Sequence, residues 1–286
     1  MSNSIASNSF CFLEETNLLI KKYVGSTFVI KYGGSAMRDP VTQHNVIQDI
    51  SLLSSLGIKI VLVHGGGYMV NSWLNKMNIE PVFNNGIRVT DSETIDIVEM
   101  VLSAKINKGL VSLFNKLQTP AVGLSGKDAR LVTALPLSDD LKSFTGKVDI
   151  VDTKVLEVLL SNGLLPVVSS VACDAYGKTY NINADTIASS IAASIEAAKL
   201  IFITDIPGVL ADVDNKSTLI KELDSNSINK LKLKGVIKKG MIPKIDSCLY
   251  AVNNNVESVH IIDGGLNSSL LNEIFTNSRI GSRIRL

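Results

Sequence analysis

Apolar residues in this chain alternate between short continuous runs and longer stretches at helical spacing. The first two runs, residues 27–30 and 58–63, each lead into a glycine cluster and then into a helical pattern. Parallel strands connected through helices have this order of elements. The pattern therefore predicts an α/β sheet with both glycine loops beyond the carboxyl ends of their strands, where ligands bind in such sheets.

Later apolar runs and helical stripes continue the alternation. Either Thr90 or Asp91 is expected to cap a long helix that ends at Leu117. The polar, lysine-rich segment 212–239 has no such pattern and predicts a mobile cover. The run at 258–263 is expected to close the sheet. Further strands are predicted at 164–168 and 200–205, and further helices at 40–56, 152–162, 184–198, 241–252 and 270–276.

The N-terminal region precedes the first core strand. Residues 1–10 are small and polar, which is typical of a disordered terminus. Residues 12–23 have apolar positions at helical spacing, but a helix before the first strand has no place in a strand–helix–strand unit. We therefore expect residues 1–24 to form an N-terminal arm, whose helix either packs on its own domain or docks on another subunit.

The composition argues against several classes of protein. With 286 residues, 45% of them hydrophobic, the chain can bury a large core as one domain or as two fused lobes. A net charge of +1 argues against nucleic acid as a partner. The most apolar region, 187–210, is interrupted by charges, so no membrane span is expected, and the N-terminus lacks a secretory pattern.

Cysteine and histidine are few and widely spaced. This usage favours a reducing compartment and argues against a disulfide framework. It also argues against a zinc or iron centre, so no protein-bound metal site is expected. The residues are Cys11, Cys173, Cys248, His44, His64 and His260.

Two glycine clusters are candidates for binding a phosphate group. Gly33 and Gly34 follow the first apolar run, and Gly65, Gly66 and Gly67 follow the second. Because glycine has no Cβ, its amide can approach phosphate oxygens closely at the positively polarised start of a helix. The alternative is that both clusters are tight turns that need positive φ, but two such loops in one sheet favour anion binding.

Three better-known motifs do not fit the glycine clusters or the sequence around them. A Walker loop ending at residues 177–179 would need glycine where Ala172 stands, and a dinucleotide fingerprint at residues 65–67 would need glycine where Val70 stands. The sequence HGGG at 64–67 is similar to a lipase oxyanion loop, but the chain has no Gly-x-Ser-x-Gly nucleophile elbow.

Two lysines and one aspartate are candidate catalytic residues. Lys31 directly follows an apolar strand, where a solvated charge is unusual, although a lysine at a sheet edge that extends into water is an alternative. Lys244 begins a helical pattern after Gly240, and Asp185 lies between the two lysines in sequence. Asp185 is suited either to fix both ammonium groups or to stabilise a helix start. Together they predict a phosphoryl-transfer site.

Two polar residues are candidates for holding a substrate. Arg88 has a planar fork suited to a carboxylate, although a surface salt bridge is the alternative. Asn181 is suited to a ligand hydrogen bond or to capping the turn that follows it.

The chain resembles the amino acid kinase family over residues 27–286, and within it the branch that acts on N-acetyl-L-glutamate. Each of the motifs is short, but their order and spacing together are specific, and NGIRVT favours that branch. The motifs are KYGG at 31–34, HGGG at 64–67, NGIRVT at 85–90, GLSGKD at 123–128, NINAD at 181–185, TDIPGV at 204–209 and GMIPK at 240–244.

The resemblance implies a three-layer α/β/α open sandwich around a mainly parallel sheet. It implies an N-terminal lobe, residues 25–180, for the acyl amino acid and for dimerisation, and a C-terminal lobe, residues 181–286, for ATP bound with Mg²⁺. It further implies that Lys31 and Lys244 stabilise the transferring phosphoryl group while Asp185 orients them. By the same resemblance, Gly66, Gly67, Arg88 and Asn181 bind the substrate, and Gly33, Gly34, Thr204 and Asp205 lie at the phosphates and the nucleotide.

Regulation and assembly are also implied by the resemblance. Arginine-inhibited members of the family carry an extra N-terminal helix that joins dimers into a hexamer, and residues 12–23 match it. Lys199, Glu273 and Gly281 would contact arginine, and in phototrophs a PII-type signalling protein relieves the inhibition. An amino-acid composition rich in Asn, Ile, Lys and Ser is typical of an AT-rich genome. We therefore expect a location in the cytoplasm, or in the plastid stroma if the protein is plastid-encoded.

The resemblance leaves two alternatives for function. A sibling enzyme would phosphorylate another carboxylate, such as an aminoadipate-type substrate. A catalytically idle arginine-sensing scaffold would keep the fold without turnover, although the presence of Lys31, Lys244 and Asp185 argues against it.

Overall fold

The computed structural model describes residues 14–84, 86–238, 240–276 and 279–286. Residues 1–13 of the predicted arm, Asn85 of the NGIRVT motif and Lys239 therefore lie outside the described residues. The described strands are β1 (Thr27–Tyr32), β2 (Lys59–His64), β3 (Phe83–Asn84), β4 (Ile87–Arg88), β5 (Ala121–Ser125), β6 (Val132–Pro136), β7 (Thr145–Val151), β8 (Leu165–Ser169), β9 (Val171–Cys173), β10 (Thr179–Ile182), β11 (Lys199–Thr204), β12 (Glu222–Leu223), β13 (Ser258–Asp263) and β14 (Ser282–Ile284).

Helices lie between most of these strands. Short 3₁₀ turns occur at Gly34–Met37, Asp128–Arg130 and Lys216–Thr218, and Met100–Ile106 is π-helical. The α-helices are α1 (residues 14–23), α2 (Pro40–Ser55), α3 (Gly67–Lys76), α4 (Ser92–Glu99), α5 (Asn107–Lys116), α6 (Lys154–Ser161), α7 (Ala184–Ser194), α8 (Ser225–Leu233), α9 (Met241–Asn253) and α10 (Ser269–Phe275).

The described residues form one large sheet in the strand order β12-β14-β13-β11-β1-β2-β8-β5. The six strands from β13 to β5 pair in parallel, and β14 pairs antiparallel to β13. β1 lies between β11 and β2, so the carboxyl ends of these three strands meet at one edge of the sheet. That edge brings both predicted glycine loops together.

Helices cover both faces of the large sheet. Alternate side chains of β1 divide between two hydrophobic cores, with Phe28 and Ile30 in one core and Val29 in the other. The first core packs against α1 to α5 and α10, and the second against α6 to α9. The arrangement is a three-layer α/β/α sandwich, which confirms the predicted fold class.

Two smaller β structures flank the carboxyl edge. β6, β7, β9 and β10 form a four-stranded sheet that closes on itself, and β10 leads directly into α7. β3 and β4 form an antiparallel hairpin that carries Arg88. The predicted division into lobes at residues 25–180 and 181–286 stays a prediction.

The C-terminal third of the chain differs from expectation in two places. The expectation that β13 closes the sheet is wrong, because β14 and then β12 extend it beyond β13. Segment 212–239, expected to be a mobile cover, contains regular structure, because its described residues include β12 in the large sheet and α8, whose Ile228 is fully buried. Its mobility stays a prediction. Very short strands and single buried anchors produce too little periodicity to be seen in the sequence.

The long helix predicted to end at Leu117 is interrupted. α4 passes into the π-helical turn Met100–Ile106 before α5 begins, and the helical path ends at Lys116. Asp91, rather than Thr90, caps it, because its carboxylate accepts the Thr94 amide at 2.9 Å.

The described part of α1 packs on its own chain. The Tyr23 ring is buried and meets the Phe28 ring edge-on, with centroids 5.2 Å apart. The Lys22 ammonium lies 3.2 Å from the Glu257 carboxylate. The described residues therefore show this helix packed on its own domain, which is one of the two alternatives. Docking on another subunit stays a prediction.

Candidate active site

One buried carboxylate holds two ammonium groups at the carboxyl edge of the sheet. Lys31 Nζ lies 2.8 Å from Asp185 Oδ1, and Lys244 Nζ lies 2.7 Å from Asp185 Oδ2. The three side chains are 12–13% exposed. The structure thus brings together all three predicted catalytic residues, which are far apart in sequence.

Three different elements position these groups. Lys31 lies near the carboxyl end of β1, an inner strand of the large sheet, so it is not the edge lysine of the alternative reading. Asp185 lies in the first turn of α7, where Asn183 Oδ1 accepts its amide at 2.7 Å. Lys244 lies in the first turn of α9, with its ammonium 5.0 Å from the centre of the Phe202 ring.

The charges in this triad depend on one another. Burial alone would raise the pKa of the Asp185 carboxyl, but the ammonium of Lys31, followed by that of Lys244, holds the pKa well below its usual range. Burial lowers the pKa of the Lys31 ammonium, and the charge of Asp185 opposes that effect. Asp185 therefore stays ionised at neutral pH and favours the charged form of Lys31.

The first glycine loop lies against Lys31. A Cβ on Gly33 would meet the Lys31 ammonium at 2.8 Å, so this position has no room for a larger side chain unless the lysine moves. Gly34 has a φ of +71°, which favours glycine, and begins the 3₁₀ turn. Because neither glycine carries a side chain, the backbone of this loop can line a space beside the ammonium group.

A cleft of about 240 Å³ opens beside the triad. Polar groups and glycine backbones from both sides of residue 180 line it together with a few apolar side chains. Its lining includes Lys31, Gly33, Gly34, Gly66, Gly67, Val70, Arg88, Val98, Leu102, Asn181 and Asp185. The cleft is thus lined both by residues predicted to contact the transferring phosphoryl group and by residues predicted to bind the acceptor substrate.

One terminal nitrogen of the Arg88 guanidinium is held by hydrogen bonds, and the other is unpaired. Its Nη2 donates to Gly67 O at 3.2 Å and to Asn71 Oδ1, and the guanidinium lies 4.7 Å from the centre of the Phe83 ring. Its Nη1 is buried and has no hydrogen-bond partner within the part of the chain that the structure describes. Burial lowers the pKa of this group, but a guanidinium remains charged at neutral pH. A buried, charged and unpaired donor suits a carboxylate ligand.

Asn181 joins the cleft to the region behind Arg88. Its Nδ2 donates to Thr90 Oγ1 at 3.0 Å, and the hydroxyls of Thr90 and Thr145 donate to Arg88 O at 3.2 and 3.1 Å. Its amide oxygen remains available to a ligand, since no hydrogen bond to it occurs among the described residues. Asn181 therefore does not cap the turn that follows, where Asn183 has that role.

The model of the amino acid kinase family matches residues 26–263, which is most of the chain. The chain belongs to the amino acid kinase family. It is 50% identical over 268 residues to the acetylglutamate kinase of Gracilaria tenuistipitata var. liui, covering 93% of this chain and 94% of that protein. It is 48% identical over 272 residues to the acetylglutamate kinase of Nostoc punctiforme (strain ATCC 29133 / PCC 73102), covering 95% and 91%.

A solved structure of similar fold belongs to a longer protein. The N-acetylglutamate synthase from Neisseria gonorrhoeae, complexed with coenzyme A and N-acetyl-glutamate, is 26% identical to this member of the amino acid kinase family with a TM-score of 0.85. The match covers 97% of this chain, and the chain spans 63% of the length of that synthase. These matches confirm the family predicted from the motifs, and this amino acid kinase is an enzyme that transfers a phosphoryl group.

Two of the predicted nucleotide-binding residues, Thr204 and Asp205, lie at the end of β11, the strand next to β1 and its Lys31. Thr204 is buried, and its hydroxyl lies 2.9 Å from Ile206 O and accepts the Ile206 amide at 3.1 Å. Asp205 is exposed, and its carboxylate carbon would lie 3.8 Å from a Cβ on Gly34. Asp205 therefore lies next to the first glycine loop, whereas Thr204 holds the backbone of the loop that follows β11.

The predicted effector residues form one buried polar cluster around His260 of β13. His260 bridges them, with Nδ1 2.8 Å from Glu273 Oε1 and Nε2 3.3 Å from Lys199 Nζ. Glu273 Oε2 accepts the Gly281 amide at 3.0 Å. Burial lowers the pKa of Lys199 and of His260. The structure therefore brings the three residues together, around a histidine that the sequence reasoning did not select.

Two further residues of the site region were missed. His64 of the HGGG motif is fully buried, and burial lowers its pKa to about 4, so the ring is neutral. Its Nδ1 lies 2.9 Å from Gly65 O, and its Nε2 accepts from the Asn107 amide at 3.1 Å. This histidine orders the second glycine loop. Asn71, which holds Arg88, was also missed, because neither residue shows a periodic signal.

Two features of the described residues bear on other functions. This part of the chain contains no group of three or more His, Cys, Asp or Glu side chains that could hold a metal ion. No helix among the described residues has the length and apolar character needed to cross a membrane.

Proposed function

We propose that the protein is an acetylglutamate kinase of arginine biosynthesis. It transfers the γ-phosphoryl group of ATP to the side-chain carboxylate of N-acetyl-L-glutamate and gives N-acetyl-L-glutamyl 5-phosphate. The observation that carries this proposal is the pair of ammonium groups on the buried Asp185, in one cleft with the open guanidinium of Arg88. The names of the similar proteins supply the identity of the substrate.

Arg88 grips the α-carboxylate of the acceptor through its free Nη1, while Asn71 and Gly67 hold the other arm of the fork. The backbone of Gly66 and Gly67 lines the cleft without side chains, so the substrate can lie directly against it. Asn181 offers its amide oxygen to the N-acetyl amide group. These contacts orient the side-chain carboxylate for attack.

The attacking carboxylate needs no general base, because a carboxyl group of ordinary pKa is already ionised near pH 7. It attacks the γ-phosphorus in line, the bond to the leaving ADP oxygen breaks, and an acyl phosphate forms. Lys31 and Lys244 stabilise the charge on the transferring group, and Asp185 keeps both ammonium groups in place. The backbone of Gly33 and Gly34, which lines the cleft, adds amide donors at the same point.

ATP lies at the carboxyl end of β11, where Thr204 shapes the loop and Asp205 faces solvent beside Gly34. Mg²⁺ bound with the nucleotide would supply charge neutralisation at its phosphate oxygens. Magnesium commonly keeps water and phosphate ligands and takes only one or two carboxylates from a protein.

Regulation is a further part of the proposal. L-arginine is the proposed effector, contacted by Lys199, Glu273 and Gly281, and the closeness of these residues supports a single site. A homodimer, a hexamer joined through the N-terminal helix, and a PII-type partner are proposed from the family resemblance. So is a location in the cytoplasm or plastid stroma.

A hydroxylamine-trapping assay tests the proposed function. The protein is supplied with MgATP and, separately, with N-acetylglutamate, glutamate, aspartate or N-acetylaminoadipate. Hydroxamate formed from N-acetylglutamate alone is the expected result. A preference for another acid would move the protein to a sibling carboxylate kinase. No hydroxamate from any acid, with ATP and arginine still bound, would contradict phosphoryl transfer and indicate a sensor.

A further inference from the structure

The loop that follows β11, residues 205–209, is held at both ends by a buried hydroxyl group. At its start, Thr204 Oγ1 accepts the Ile206 amide at 3.1 Å. At its end, Ser282 Oγ accepts the Val209 amide at 2.9 Å. The loop is therefore tied to β11 through one hydroxyl and to β14, two strands away in the sheet, through the other.

Ser282 uses its hydroxyl fully. The oxygen accepts from Val209, and its hydrogen is donated to Ile220 O at 2.6 Å. The residue has no exposed surface, so neither bond can be replaced by bulk water. Val209 and Ile220 also bond directly, because the Ile220 amide donates to Val209 O at 2.9 Å. Ser282 thus joins three backbone segments at one point.

The loop backbone packs directly against this serine. A Cβ on Gly208 would lie 2.4 Å from Ser282 Oγ, and Gly208 has a φ of +147° that favours glycine. At the other end of the same loop, Asp205 lies beside Gly34, and its charge partly opposes the lowering of the Lys31 pKa by burial. A displacement of Gly208 would therefore change the loop that reaches the catalytic triad.

We infer that Ser282 is a positioning residue for the nucleotide, acting through the 205–209 loop. This inference rests on the proposed function, in which that loop lies at ATP. Without the hydroxyl, the Val209 amide and the Ile220 carbonyl lose their buried partner, and the loop must move to satisfy them. The acceptor substrate is held by other elements, so the effect falls on MgATP and not on N-acetylglutamate.

The test compares Ser282→Ala with two matched variants. Ser189→Ala removes another buried serine hydroxyl, which donates to Thr186 O within α7 and does not contact the loop. Ser282→Thr restores a hydroxyl at the same position. For Ser282→Ala we expect the KM for MgATP to rise about tenfold. In Ser282→Ala the KM for N-acetylglutamate is expected to stay within about twofold of the wild-type value. The KM for MgATP should be unchanged in Ser189→Ala and should return part of the way to the wild-type value in Ser282→Thr.

Binding of a non-hydrolysable ATP analogue, measured by calorimetry, gives a readout that does not depend on turnover. We expect the analogue to bind Ser282→Ala more weakly than the wild type and to bind Ser189→Ala with an unchanged Kd. An unchanged KM and Kd for the nucleotide, or an equal rise in the KM of both substrates, would overturn the inference. If Ser282→Ala does not fold, Ser282→Cys replaces it, because a thiol is only a weak donor and acceptor. The same KM and Kd values are then compared for Ser282→Cys. Failure of the proposed function is separate, because the wild-type protein would then form no hydroxamate from N-acetylglutamate.

Discussion

The side chain of Lys31 occupies the space that a β-carbon on Gly33 would need. Such a β-carbon would lie 2.8 Å from Lys31 Nζ and 3.3 Å from Lys31 Cε. A Gly33→Ala variant must therefore push the ammonium away from Asp185 or shift the loop. We expect kcat to fall by a factor on the order of 10² or less, since a misplacement near 1 Å has effects of that size.

Gly109→Ala is the matched control for this prediction. A Cβ at Gly109 would meet nothing within 4 Å, and the residue lies inside α5, so alanine is tolerated there. Steady-state kinetics of both variants, with thermal unfolding to confirm the fold, make the comparison. If Gly33→Ala kept the wild-type kcat, the position of the Lys31 ammonium would not matter for turnover.

Removing the charge of Asp185 should affect both lysines at once. Asp185→Asn keeps the size of the side chain but presents an amide donor to one of two buried ammonium groups, so we expect kcat to fall on the order of 10² or more. The charge of Asp185 raises the pKa of Lys31, so its loss lowers that pKa further. Because the protonated lysine is the active form, the alkaline loss of activity should move to lower pH.

A pH–rate profile of Asp185→Asn, measured beside Asp246→Asn, checks this prediction. Asp246 lies in α9 and pairs with Lys232 near the surface, where an ion pair contributes little. Asp246→Asn should keep the wild-type profile. An Asp185→Asn profile that also matched the wild type would show that the two lysines work without their shared carboxylate.

Asn71 should control the affinity for the acceptor substrate through Arg88. In Asn71→Ala, Nη2 of Arg88 loses its side-chain partner and keeps only Gly67 O, so the fork can rotate. We expect the KM for N-acetylglutamate to rise about tenfold, with the KM for MgATP unchanged. Asn75→Ala, at an exposed position one turn further along α3, is the control. Equal changes in the two KM values would contradict a role specific to Arg88.

Asp49 should make stability depend on pH. Its carboxyl lies in α2 and is buried, which raises its pKa to about 6, although the amides of Leu270 and Leu271 partly oppose the shift. A group whose folded pKa is raised contributes stability below its unfolded pKa, and that contribution is lost as pH rises through the folded pKa. Between pH 4 and 7 the Tm of the wild type should therefore fall relative to that of Asp49→Asn.

Thermal unfolding at several pH values checks the Asp49 prediction, with the exposed Asp96→Asn as control. The difference in Tm between wild type and Asp49→Asn should change most between about pH 4 and pH 6, that is, between the unfolded and the folded pKa, and level off above that range, while the difference for Asp96→Asn should stay constant. A difference for Asp49→Asn that did not vary with pH would show that the carboxyl titrates alike in the folded and unfolded chain.

The central sheet and the grouping of Lys31, Lys244 and Asp185 were predictable from the sequence. Buried parallel strands appear as continuous apolar runs, so β1, β2, β8, β11 and β13 were all visible. A lysine directly after such a run, as at Lys31, is conspicuous because a solvated charge is unusual there. The order of the short motifs then identified the family, which the comparison with known proteins confirms.

Other parts of the molecule depend on tertiary contacts that leave no local pattern. β12 has two residues and β14 has three, so their pairing with the large sheet could not be read from periodicity. The spacing of apolar residues in the π-helical turn Met100–Ile106 cannot be told apart from that of an ordinary α-helix, so the sequence pattern did not predict the turn. The side chain of His64 orders a loop from inside the core, and its neighbours in sequence do not indicate this.

The account depends most directly on the claim that Lys31 and Lys244 act on the transferring phosphoryl group. The deciding measurement is the rate of hydroxamate formation by Lys31→Ala and Lys244→Ala, with the exposed Lys59→Ala as control. The account predicts that each of the first two lowers kcat by a factor on the order of 10² or more with only a modest change in KM, while Lys59→Ala does not. Near-normal turnover in Lys31→Ala or Lys244→Ala would contradict the account and remove that lysine from the mechanism.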